Sequence, residues 1–109
     1  MYAQLTYFDG PRTAEQLAAA DFGARERIQP ALSKLGHHFR VYVLRRDDGS
    51  QIVVSIADTK QALLDAQKAI MSTELLPGED PALLPGPDRI DLYPVLEARE
   101  FNAAAEARA

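Results

Sequence analysis

The chain has 109 residues, with 12 basic against 16 acidic side chains, a net charge of −4, and 47% apolar residues. That length suits one domain, and the apolar fraction is too high for a chain that stays disordered. The absence of cysteine removes disulfides, thiol nucleophiles and zinc–thiolate sites; the acidic balance speaks against nucleic acid or an anionic membrane as partner, and no apolar run nears the ~20 residues a bilayer requires.

Residues 2–8 (YAQLTYF) alternate and are rich in aromatics, which predicts a strand. Asp9-Gly10-Pro11 ends it. Thr13 and Gln16 form a capping box, so a helix starts there. Leu17, Ala20, Ala24, Ile28, Ala31 and Leu35 recur at helical spacing, with Pro30 set to kink or restart the helix and Gly36 to stop it. Residues 38–46 and 51–57 read as a hairpin closed by Asp47-Asp48-Gly49-Ser50. Asp58 with Gln61 caps a second helix, its apolar face being Leu63, Ala66, Gln67, Ile70 and Met71. Recurring prolines from Thr73 onward exclude regular structure until a last strand at 89–97, where Pro94 implies an edge, a bulge or an early end. Residues 98–109 form an alanine-rich tail, helical or frayed, after a single domain spanning 1–97.

The order is βαββαβ, which predicts an α+β, ferredoxin-like fold: a four-stranded antiparallel sheet with two helices on one face. With a four-residue hairpin loop, Phe39, Val41, Val43, Ile52, Val54 and Ile56 share a face, joined by Ala3, Leu5, Tyr7, Ile90 and Leu92. This apolar set is expected under the helices. The opposite face is expected to hold His38, Arg40, Tyr42, Leu44, Val53, Ser55, Gln4, Thr6, Phe8, Asp91, Tyr93 and Val95. So mixed a face, with three aromatics, is too apolar for solvent and marks an interface or a ligand surface. A two-fold homodimer would bury it and enclose a cavity.

The Tyr2–Phe8 strand, the long first helix, the second strand with Arg40 and Tyr42, and the last strand at Ile90–Val95 together resemble the dimeric α+β barrel superfamily. That group includes the antibiotic-biosynthesis-monooxygenase-like proteins. The 73–93 segment looks most like small members with no assigned reaction. The resemblance implies a homodimer and, for some members, cofactor-independent oxygenation of small aromatic or polyketide-like compounds. The catalytic patterns are incomplete here. Haem-degrading members use an Asn, a Trp and a His, whereas this chain lacks Trp and has Asn102 alone, in the tail. Of the monooxygenase constellation only tyrosines and an arginine are of the right type.

The candidate catalytic residues are Arg40, as anion stabiliser, with His38, or Tyr42 through water, as proton acceptor. Tyr93, Gln4, Thr6, Phe8 and Asp91 are the candidate substrate contacts. Each has a structural alternative. Arg40 can pair with Asp91 or with a partner's acid as dimer glue, and Asp21 can bridge Arg25 at i+4. His37 and His38 point to opposite faces if both lie in strand, and no ligand set joins them, so no metal is expected. No cofactor motif is present. Asp9-Gly10-Pro11 loosely resembles the first loop of amino-acid-binding ACT domains, with the Gly and Pro in the wrong order. An RNA-recognition role fails because the third strand has no aromatic. The loop at 74–88 carries LLPG twice, and its Leu75–Leu84 stretch is expected to join the dimer contact or to cover the cavity. With no signal-like start, a cytoplasmic protein is expected. Three readings remain: a monooxygenase-like enzyme, a non-catalytic small-molecule-binding or regulatory dimer, and a structural dimer with a filled interior.

Overall fold

A computed structural model of the chain describes residues 1–101. Strand β1 (Tyr2–Phe8) leads through a loop to helix α1 (Ala14–Gly23), a π-helical turn (Ala24–Ile28) and helix α2 (Gln29–Ser33). Strands β2 (Arg40–Arg45) and β3 (Gln51–Ala57) form the hairpin, followed by helix α3 (Lys60–Met71), a 3₁₀ turn (Pro81–Leu83) and strand β4 (Arg89–Pro94). The sheet order is β2-β3-β1-β4, antiparallel throughout. This is the α+β arrangement expected for a ferredoxin-like βαββαβ chain. No helix among the described residues is long and apolar enough to cross a membrane.

The first helical stretch begins as expected. Thr13 accepts from the Gln16 N–H at 3.1 Å, and the Gln16 side chain accepts from the Thr13 N–H at 2.9 Å. Thr13→Ala is expected to lower unfolding free energy by about 1 kcal/mol, read by urea denaturation. Pro30 produces a restart. Its ring would strike the carbonyl four residues back in an α-helix, and it brings no N–H. The backbone widens before it, the Gln29 N–H reaching the Ala24 carbonyl five residues back, and α2 takes Pro30 in its first turn. Gly36 then turns the chain at φ 72°. Helix α3 starts one residue later than the Asp58 cap implied, because the Thr59 hydroxyl accepts from the Ala62 N–H. Met71, expected on the packed face, is exposed at the last turn.

The hairpin overturns the expected register. Arg45 pairs with Gln51, so the loop holds residues 46–50. The Gly49 N–H donates to the Arg46 carbonyl at 3.0 Å, and the Arg46 N–H to the Ser50 carbonyl at 2.9 Å. Gly49 sits at φ 88°, and a Cβ there would lie 2.7 Å from the Arg12 carbonyl oxygen. One extra loop residue reverses the phase of β3 against β2. Tyr42 therefore faces Val54, and Leu44 faces Ile52.

The consequence runs through the sheet, since directly paired residues share a face. The core cluster of Ala57, Ala62 and Leu63, with Tyr2, Phe39 and Leu92 packed on it, lies between the sheet and α3. Tyr2, Gln4, Thr6 and Phe8 therefore face the helices, as do Val53 and Ser55. Ala3, Leu5, Tyr7, Ile52, Val54 and Ile56, expected beneath the helices, face away from them. Strands β2 and β4 keep their expected phases: Val41, Val43, Ile90 and Leu92 face the helices, while Arg40, Tyr42, Leu44, Asp91 and Tyr93 face away.

Candidate functional site

Three rows cross the uncovered face. Arg40, Ile56, Ala3 and Tyr93 form the first. Tyr42, Val54, Leu5 and Asp91 form the second. Leu44, Ile52, Tyr7 and Arg89 form the third. Apart from Tyr7 the two central strands present aliphatic groups, and apart from Leu44 the edge strands present polar and aromatic ones. At one corner the Arg89 guanidinium lies 4.1 Å from the Tyr7 ring centroid and 3.0 Å from the Asp91 carboxylate. Asp91 thus pairs along its own strand, leaving Arg40 at the opposite edge. Among the described residues Arg40 has no ion-pair partner. Tyr42, Leu44 and Tyr93 are all exposed.

The candidate residues therefore divide among separate places. Arg40, Tyr42, Asp91 and Tyr93 share the uncovered face, with Arg40 and Tyr93 three strand spacings apart, or ~14 Å. Gln4, Thr6 and Phe8 stand on the helix-covered side, a correction that follows from the reversed phase of β1 and β3. Gln4 is buried there, and the Phe8 ring lies 5.6 Å from the Arg12 guanidinium carbon. His38 lies before β2, in a hollow of about 350 Å³ that Leu32, His37, Phe39 and Val41 also line. Its neighbour His37 approaches Asp65 at 3.3 Å. Asp65 is held below its ordinary pKa by the Gln61 side-chain amide and then by His37.

A second cluster escaped the sequence reading. Arg27, on the π-helical turn, donates from Nε to Glu79 Oε2 at 2.9 Å and from Nη1 to Thr73 Oγ1 at 2.7 Å. The Leu76 N–H donates to the same Glu79 oxygen at 2.7 Å. The Glu79 side chain is 2% exposed and that of Arg27 is 13% exposed. Arg27 and the Leu76 N–H hold the Glu79 carboxyl below its ordinary value. Gly23 makes room for the pair, since a Cβ there would stand 2.7 Å from Glu79 Oε1. The pair ties the 74–88 loop down onto the helices. Leu76, Leu83 and Leu84 are half-buried, and only Leu75 of the four leucines is exposed. Beside it, Phe22, Pro77, Leu83 and Leu84 line another hollow of about 350 Å³. The signal available in sequence was the Pro30 stripe with Arg27 just before it, but its partner lies 52 residues on.

The expected Asp21–Arg25 pair is replaced by Asp21 with Arg45 at 2.7 Å, joining α1 to β2. Arg25 turns instead to Glu26. Fold and site together define a small α+β protein with a helix-covered sheet and one uncovered, largely apolar face. No protein-family model matches the chain, and no curated protein matches it significantly.

Proposed function

We propose that this protein works as a homodimeric small-molecule-binding module whose two uncovered sheet faces stack against each other. The observation that carries the reading is the reversed phase of β3. It puts Leu5, Ile52, Val54 and Ile56 on the side without helices. Gln4 and Ser55 take the covered side instead. A sheet that turns its more aliphatic face away from its own helices needs another cover. Four strands at ~4.8 Å and six residues at ~3.3 Å give a face of roughly 400 Å² in projection. A stable interface takes ~800 Å² of accessible surface per partner, so this corrugated face supplies a large share of one.

A two-fold axis running along the strands would lay β2 of one copy over β4 of the other. The unpaired Arg40 and Tyr42 of one copy then approach the rows of Tyr93 and Asp91 of its mate. Such a site, apolar in the middle with an arginine and tyrosines at its ends, suits a flat aromatic or polyketide-like anion. Light scattering at about 0.1 mM is expected to report twice 12.0 kDa. A lone 12.0 kDa particle overturns the reading.

The resemblance to the antibiotic-biosynthesis-monooxygenase-like proteins adds a catalytic version. There Arg40 steadies a phenolate or enolate that passes electrons to dioxygen, and the proton leaves through a water held by Tyr42 on the same face. What favours it is the lack of an ion-pair partner for Arg40 among the described residues. With a panel of polyphenols, Arg40→Ala is expected to lower oxygen uptake by about 10²-fold while the dimer persists. Uptake equal to that of the parent protein removes Arg40 from the chemistry. No uptake with any substrate, but saturable binding, leaves the non-catalytic module.

A further inference from the structure

Among the described residues strand β2 is one of the two edges of the sheet, β4 being the other, and all 6 of its residues are exposed. A free edge offers unpaired N–H and C=O groups to any passing strand, and proteins usually blunt it with proline, a bulge or inward charge. The middle of β2 is Val41-Tyr42-Val43-Leu44, with none of these. On its helix side Val41 and Val43 are exposed as well.

The chain leaves the opposite edge as an arm. The Val95 N–H donates to the Met1 carbonyl at 2.9 Å, and residues 96–101 then follow with neither helix nor strand. Leu96 is 94% exposed and Phe101 is 77% exposed. Glu97 and Arg99 pair with each other, as side chains two apart do along an extended backbone. The arm is thus extended, carries large apolar groups, and leaves them uncovered by the described residues of its own chain.

We propose that residues 95–101 of one copy add as a further strand to the β2 edge of a second copy, and the reverse. This rests on the homodimer proposed above and names the contact that locks it. Strand addition needs main-chain donors and acceptors and apolar side chains that pack on either face; β2 offers Val41 and Val43 on one face and Tyr42 and Leu44 on the other, and the arm offers Val95 and Phe101 on one face and Leu96 and Ala98 on the other. The arm spans ~23 Å at ~3.3 Å per residue, enough to cover the whole of β2. It starts ~14 Å from its own β2, across three strand spacings, so a second copy is the nearer host. Charge agrees. Arg40, Arg45 and Arg46 stand on or just after β2 with no acid among residues 40–46, while Glu97 and Glu100 outnumber Arg99 on the arm. The contact also removes the edge that would otherwise invite open-ended association.

The chain has no tryptophan, so Phe101→Trp gives a lone reporter at the arm. Its emission is expected to move to shorter wavelength with the same concentration midpoint that sedimentation velocity gives for dimerisation. Alternate β2 amides, those turned away from β3, are expected to exchange about tenfold more slowly in the dimer than in a monomeric Val54→Arg variant. Leu96→Asp with Phe101→Asp is expected to weaken dimerisation about tenfold and abolish that protection. A stable dimer in which the reporter stays solvent-like and β2 amides exchange freely overturns the arm contact alone. A blue-shifted reporter at every concentration puts the arm on its own chain and overturns it too. No dimer at about 0.1 mM overturns the arm contact together with the homodimer reading.

Discussion

Replacing Glu79 by alanine is expected to cost about 3 kcal/mol of unfolding free energy, the range for removing one partner of a buried ion pair. Arg27 would then keep its charge with only Thr73 Oγ1 as a partner, and the Leu76 N–H would lose its acceptor. The doubly apolar variant Arg27→Met with Glu79→Leu is expected to recover most of the loss, since no charge is left stranded. Chemical denaturation of the three proteins measures both effects. The pair also makes a pH signature. Because Arg27 and the Leu76 N–H lower the folded-state value of Glu79, its contribution is complete above the ordinary carboxylate value of 4.5. It is lost as pH falls from there through the lowered folded value. The stability gap between the parent protein and Glu79→Gln should be constant near neutrality and close only in acid. A gap that instead narrows with rising pH contradicts the assignment.

Val54→Arg is expected to leave the fold intact and weaken self-association at least about 100-fold, because it sets a charge in the middle of a stacked apolar face. Val53→Arg, one residue away, is expected to do the opposite. Val53 faces the helices beside Thr6, where a guanidinium meets packed side chains, so that variant should lose several kcal/mol of stability. Circular dichroism with urea and sedimentation equilibrium on both variants read fold and assembly separately. Exchanged outcomes would restore the four-residue hairpin loop and its register.

That one-residue difference marks how far the sequence could be read. The strands, the Thr13–Gln16 box and the stop at Gly36 are local features, set by periodicity, capping chemistry and backbone restriction within a few residues, though the last strand, expected over 89–97, stops at Pro94. They were legible. The phase of β3 was not, since four or five loop residues are equally compatible with Asp47-Asp48-Gly49-Ser50. The rule that the more apolar alternate set packs under the helices then chose the wrong one. That rule assumes a lone chain. It fails where an apolar face is kept for something other than the chain's own helices, as Leu5, Val54 and Ile56 illustrate.

The candidate site fared according to the same logic. Arg40, Tyr42, Asp91 and Tyr93 lie on strands whose phase was legible, and they share a face. Gln4, Thr6 and Phe8 depended on the β1–β3 phase and moved to the covered side. Asp21 found Arg45 across the fold where i+4 spacing had suggested Arg25, and Asp91 took Arg89, two residues back on its own strand, rather than Arg40 across the sheet. The Arg27–Glu79 pair is wholly tertiary. Nothing local marks Glu79 as buried within a proline-rich loop.

By itself the sequence determined the element order, the antiparallel α+β class and the exclusion of thiol chemistry, because these follow from residue types and short-range spacing. Only the folded chain decided which side of the sheet is covered, that Arg27 meets Glu79 and Arg45 meets Asp21, and that the Leu96–Phe101 arm leaves its apolar groups exposed. Those outcomes depend on contacts between residues tens of positions apart. A single added residue in a turn is enough to redirect every side chain on the strand that follows.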